Sequence, residues 1–216
     1  LPPADGGAAT VRRLAAAGDG ISLSDRLSDE QAARLAEAFA EIGVPLENLE
    51  TMDPWFAAIT LAVLEYRKLG MNPEAGVEMT LMSAAREAGK PIGDLETFEQ
   101  QMRFFEDMPM AQQVAMLGDT LDQLATIGED INALVGDWAA GDVEGFAAQI
   151  NAGFADSPEL RAILLVDRNR IWAEWIDARL DEPGTVFLAV GAGHLAGEGS
   201  VQSFLAERDI ETRRLD

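Results

Sequence analysis

Among its 216 residues the chain has no cysteine, a single histidine and a single tyrosine, and cations are scarce. Its 16 Lys and Arg stand against 38 Asp and Glu, for a formal net charge of −22. Without cysteine there can be no disulfide framework, no cysteine-ligated zinc and no thiol nucleophile, and either redox compartment is compatible with that absence. The acidic balance repels phosphate backbones and anionic headgroups, so neither nucleic acid nor a charged lipid surface is expected as a partner. No apolar run reaches the roughly 18 residues of a membrane-spanning helix, so no transmembrane span is expected. The opening "LPPADGGAATVRR" shows neither an initiator Met nor a signal-peptide pattern, which reads as a processed or truncated form.

What is present is globular: 48% hydrophobic and 25% charged residues, enough for one domain over 1–216 with a real core. Most of it has helical punctuation. Ser28 and Gln31 are spaced as a capping box ahead of an apolar face at Ala32, Leu35, Ala36 and Phe39, and Gly43 supplies a stop. Asp53 and Pro54 open "DPWFAAITLAVLEYRKLG" as N-cap and first helical residue, with an interior apolar nearly all round and a stop at Gly70. "VEMTLMSAAREAG" ends at Gly89, and Thr97 with Gln100 forms a second capping box. Pro109 opens a further helix, "EDINALVGDWAAGD" and "VEGFAAQINAGF" give two shorter ones, and Ser157-Pro158 starts a helix to about Leu180.

Residues 28–180 are thus expected to be the helical part, interrupted by a short strand from Pro91 to Leu95. The C-terminus changes character. "TVFLAV" reads as a strand, "GSVQSFLAERD" as a helix and "IETRRL" as a second strand, a βαβ unit over 185–216 with parallel strands. The expected class is therefore α/β, α+β-like and helix-rich: a small, mostly parallel sheet with a large helical insertion. So small a sheet would be poorly covered, so strands from upstream or from a second copy, as a homo-oligomer, are expected to complete it.

"TVFLAVGAGHLAGEGS" holds the lone histidine in a glycine-rich turn. Gly191, Gly193 and Gly197 spell G-x-G-x-x-x-G, one residue longer than the dinucleotide fingerprint, with Asp216 as a candidate for its distal acid. That fingerprint normally opens a doubly wound sheet, and His194 would crowd the pyrophosphate, so the nucleotide reading is disfavoured. Two readings stay open: a structural turn in which His194 caps or packs, or a functional histidine just past a strand end, where ligands of open α/β sheets bind. Glu96 follows the other expected strand. An imidazole and a carboxylate in one crevice suit a metal or acid–base work; taken alone, Glu96 is a first-turn carboxylate at a helix N-terminus. Arg168 and Asn169 sit between "AILLV" and the tryptophans Trp172 and Trp175. A buried arginine there needs a partner, and a structural ion pair is as good a reading as a substrate-carboxylate contact.

"MDPWFAAITLAVL", "GVEMTLMSAAREAGKPIGDLETFEQQ", "LLVDRNRIWAEWI" and "FLAVGAGHLAGEGSVQSFL", in that order, resemble the TraB/PrgY/GumN family, to whose wider group the Tiki proteins belong. The resemblance runs from about "ISLSDRL" to the end. It implies a sheet-centred fold with helical insertions and two G-x-x-H motifs, the C-terminal one being Gly191-Ala192-Gly193-His194. Tiki-type members are metal-dependent proteases, which implies His194 and Glu96 as catalytic residues and metal ligands, Glu78 as a further ligand, and Arg168 as a substrate or oxyanion binder beside Asn169. The implied cofactor is a divalent ion, Mn²⁺, Co²⁺ or Zn²⁺, and the implied substrate a peptide or protein. The N-terminal G-x-x-H is absent, so the chain reads as the C-terminal part of such a domain with half its site missing. Two functions are carried forward: a metal-dependent, peptidase-like hydrolase, and a peptide-binding or sequestering protein without turnover. Bacterial members imply a periplasmic, secreted or lipid-anchored location for the full-length form.

Overall fold

The computed structural model describes residues 7–72, 75–155 and 157–215. Helices follow the local signals closely. In α2 (Asp29–Ile42) the Ser28 hydroxyl accepts from the Gln31 backbone N–H and the Gln31 side chain accepts from that of Ser28, while Gly43, at φ 78°, ends the helix. The reciprocal pair at Thr97 and Gln100 starts α5 (Phe98–Glu106) in the same way. Both devices satisfy backbone donors that the first helical turn otherwise leaves orphaned. Helix α3 (Pro54–Lys68) carries Pro54 in its first turn, where a missing N–H costs nothing. The remaining helices are α1 (Ala8–Ala15), α4 (Val77–Glu87), α6 (Met110–Gln123), α7 (Ile127–Ala140), α8 (Val143–Gly153), α9 (Pro158–Arg161), α10 (Asp167–Leu180) and α11 (Val201–Ala206).

The chain divides into two compact units, Leu1–Gly128 and Glu129–Asp216. In the first, α2, α3 and α6 pack around Leu35, Phe39, Ala57, Ala58, Leu61, Leu117 and Leu121, closed by Leu23 and Leu49 from the intervening loops. The alanines of α3 let α6 approach closely, and Trp55 stacks on Phe105 at 5.8 Å between ring centroids. The near all-round apolar interior of α3 leaves it largely covered: Trp55, Ala57, Ala58 and Leu61 are buried, while Val63 is exposed. Helix α1 lies against α5, where Arg13 donates to Glu99 at 2.9 Å and Arg103 donates to the same carboxylate at 3.0 Å. Those two guanidiniums hold the Glu99 carboxyl below its ordinary range. A carboxylate lowered in the folded state adds stability above its unfolded pKa of about 4.3, and that stability is lost as pH falls through the folded value. Thermal melts of wild type and Glu99→Gln should therefore differ at pH 7, wild type higher, and converge in acid.

In the second unit the segment expected as one helix from Pro158 to Leu180 has the expected extent, but a π-helical turn at Ala162–Val166 joins α9 to α10. Such wide turns re-aim the residues that follow them. Helix α11 packs on α10, bringing Val201, Phe204 and Leu205 toward Trp172 and Ala173. Arg170 lies over the Phe204 ring at 4.4 Å, and Arg208 reaches Asp177 at 2.8 Å and Glu174 at 3.1 Å.

The expected α/β class is overturned. Among the described residues there is no strand; the one β-type pairing is an isolated antiparallel bridge between Ala16 and Met52. Residues 91–95, 185–190 and 210–215 form no ladder, so neither the small parallel sheet nor the βαβ unit over 185–216 exists here. The reason is physical. β propensity measures fit to a pleated, half-buried surface, and a strand exists only with a neighbour. Around "TVFLAV" no described segment pairs with it: Phe187 is 76% exposed, and Val186 and Leu188 are also in the open. The fold is helical.

Candidate functional site

Within the second unit, Asn169 and Gly191, both singled out by sequence, meet His194, and Arg168 lies one contact away against Trp172. The glycine turn folds into a short 3₁₀ segment, Ala192–Leu195, in which the His194 N–H donates to the Gly191 carbonyl at 3.0 Å. This tips the imidazole inward, leaving His194 only 8% exposed. Its Nδ1 lies 2.6 Å from the Asn169 Oδ1, and its ring sits 4.4 Å from that of Trp172, tilted by 44°. Asn169 and Trp172 are three apart on α10 and so share a face of the helix. Asn169 is 1% exposed and its Nδ2 donates to the Gly199 carbonyl at 2.7 Å, so its amide is spent at both ends. Arg168 donates from Nη1 to the Leu164 carbonyl in the π turn at 2.8 Å and lays its guanidinium 5.0 Å from the centre of the Trp172 ring.

The glycines divide unexpectedly. Gly191 and Gly193 have ordinary backbone, and a Cβ on either would meet its nearest neighbour, His194 Cδ2 or Ile150 Cδ1, at 3.7 Å, an ordinary contact. The left-handed residues are Gly197 and Gly199, at φ 73° and 74°. At Gly199 a side chain would also press on Val166 of the π turn, 3.2 Å from its Cγ2. Gly199 thus turns its carbonyl onto Asn169 in a conformation that other residues adopt at a cost. The segment before it is braced by Arg161, which donates to the Glu198 carbonyl at 2.6 Å and to Asn151 Oδ1 at 3.0 Å.

Sequence reasoning gave no role to Trp172, named only as a neighbour of Arg168 and Asn169, or to Gly199, placed at the start of the helix "GSVQSFLAERD". The i, i+3 spacing of Asn169 and Trp172 was the available signal for the first. For the second, the "GEGS" run before the Ser200 N-cap marked a turn but not the direction of a carbonyl.

The two acidic candidates belong to the first unit. Glu96 lies just before the Thr97 cap of α5 and accepts from Gln101 Nε2 at 3.4 Å. Glu78 sits in the first turn of α4, its carboxylate folded back toward Gly76. Among the described residues no three His, Cys, Asp or Glu side chains cluster closely enough to hold a metal ion. The donor chemistry of His194 suits one ligand position, and the described residues supply no complete set. No described helix is long and apolar enough to cross a membrane.

Comparison with known proteins gives a consistent assignment. The TraB/PrgY/gumN family model matches residues 3–214. The chain is 29% identical over 184 residues to the uncharacterized protein YbaP of Escherichia coli K12, covering 85% of this chain and 68% of that protein. The uncharacterized protein YbaP of Shigella flexneri matches with the same identity and coverage. No solved structure matches. With a family model spanning 3–214 of its 216 residues, the chain belongs to the TraB/PrgY/gumN family.

Proposed function

We propose that this chain is part of a metal-dependent hydrolase acting on peptide bonds, with His194 as a ligand. One observation carries the reading: a buried imidazole whose Nδ1 is engaged by an amide oxygen at 2.6 Å, which is the way metal-binding histidines are commonly oriented. Nε2 would then be the coordinating atom. A divalent ion such as Mn²⁺, Co²⁺ or Zn²⁺ supplies bound water of lowered pKa. Every other contribution comes from the protein. Trp172 covers the imidazole and keeps bulk water from one side of the ring. Arg168, anchored on the Leu164 carbonyl and the Trp172 face, is the candidate binder of a substrate carboxylate or of the oxygen of a reacting carbonyl. Glu96 and Glu78 are candidate ligands on their chemistry alone.

The test is incubation of the protein and Mn²⁺ with a defined peptide mixture, read by mass spectrometry. Cleavage products that disappear on chelation support the hydrolase. Stoichiometric capture of a peptide with no product overturns it in favour of a binding protein.

A further inference from the structure

The geometry points to Asn169 as a positioning residue that locks His194 in a single tautomer, with the proton on Nδ1. The argument runs from the outside in. A backbone carbonyl only accepts, so the amide atom 2.7 Å from the Gly199 oxygen must be the NH₂ group of Asn169. That fixes which way the amide faces, an assignment otherwise ambiguous for asparagine. Its oxygen is then the atom 2.6 Å from His194 Nδ1, and an amide oxygen has no proton to give. Nδ1 must therefore be the donor, and in the neutral imidazole the lone pair is left on Nε2.

The surroundings hold this arrangement against relaxation. Asn169 and His194 are both buried, so an amide rotated by 180° would set its oxygen against the Gly199 carbonyl and its NH₂ group against Nδ1, leaving two oxygens facing each other out of water. Gly199 keeps its carbonyl aimed through a left-handed backbone, and Arg161 ties down the adjacent Glu198 carbonyl. The Trp172 ring limits rotation of the imidazole. Asn169 thus acts through His194, and its consequence for catalysis, though not the tautomer itself, rests on the hydrolase reading.

Because the chain has one histidine, long-range ¹H–¹⁵N correlation of the ¹⁵N-labelled protein reports a single imidazole with no assignment problem. Recorded at a pH where the ring is neutral, wild type should show a pyrrole-type Nδ1 and a pyridine-type Nε2. Asn169→Ala should lose this preference, whereas Asn169→Asp, which keeps an acceptor for Nδ1 but loses the bond to the Gly199 carbonyl, should retain it in a less stable protein. A wild-type spectrum with the proton on Nε2, or averaged between the two nitrogens, overturns the inference even if Asn169→Ala fails to fold. So does an unchanged tautomer in a folded Asn169→Ala. Zn²⁺ titration separates the two claims. Affinity should fall roughly 10–100-fold in Asn169→Ala, the usual loss on removing such a partner. A locked Nδ1–H tautomer in a protein that binds no metal upholds the role of Asn169 and removes the hydrolase reading instead.

Discussion

His194→Ala is expected to abolish divalent-metal binding and, with it, peptide cleavage, while leaving the helical circular dichroism essentially unchanged. The effect should exceed the roughly 10–100-fold cost of losing an outer partner, because the coordinating atom itself is gone. The side chain is buried, and its contacts include the Asn169 amide and the Trp172 ring face. Truncation leaves a small space beside Trp172 and one unpaired amide oxygen, a penalty of about 1–3 kcal/mol. That is tolerable for a unit in which α10 and α11 also bury Ala173, Val201, Phe204 and Leu205. Calorimetric titration of both proteins with Mn²⁺, Co²⁺ and Zn²⁺ checks the prediction, and equal affinity in wild type and variant contradicts it.

Phe39→Ala should be among the most damaging single changes to the first unit. Phe39 is fully buried at the centre of the cluster formed by α2, α3 and α6, in which Leu35, Leu61 and Leu117 are also fully covered. Removing a buried phenyl group loses its transfer free energy and leaves a cavity that packed helices close only in part, a sum of about 3–5 kcal/mol. Few alternatives exist for filling the space, since the alanines at 57 and 58 have no side-chain reach. Urea unfolding followed by circular dichroism should show a lower midpoint with a similar slope. A shift no larger than that of an exposed control such as Val63→Ala would mean that the cluster is not the core of this unit.

The helices were legible because their signals are local. A capping box spans four residues, a proline in the first turn marks its own position, and Gly43 and Gly89 end their helices through a backbone conformation that the residue type alone favours. The strands were misread for the complementary reason. "TVFLAV" has the composition of a strand, but pairing is a property of two segments, and composition carries no information about the second. The π turn at Ala162–Val166 was equally hidden, since Ala-Ile-Leu-Leu-Val would sit comfortably in an α-helix.

The site divides along the same line. His194 stood out as the sole histidine in a glycine turn, and Arg168-Asn169 as polar residues in an apolar setting. That Asn169 and His194 meet depends on how α10 packs beneath the 3₁₀ segment, which no local signal encodes. Gly191 and Gly193, prominent in the motif, keep ordinary backbone, and the glycine that matters to the hydrogen-bond chain is Gly199. Its role lies in the direction of its carbonyl.

X-ray absorption of the zinc-loaded protein tests the central claim most directly. A chain with one histidine can offer one imidazole per ion. The account predicts a single imidazole nitrogen at about 2.0–2.1 Å, with the outer-shell scattering of its ring, beside oxygen ligands, and loss of that signal in His194→Ala. A spectrum of oxygen ligands alone, identical in wild type and variant, would contradict it.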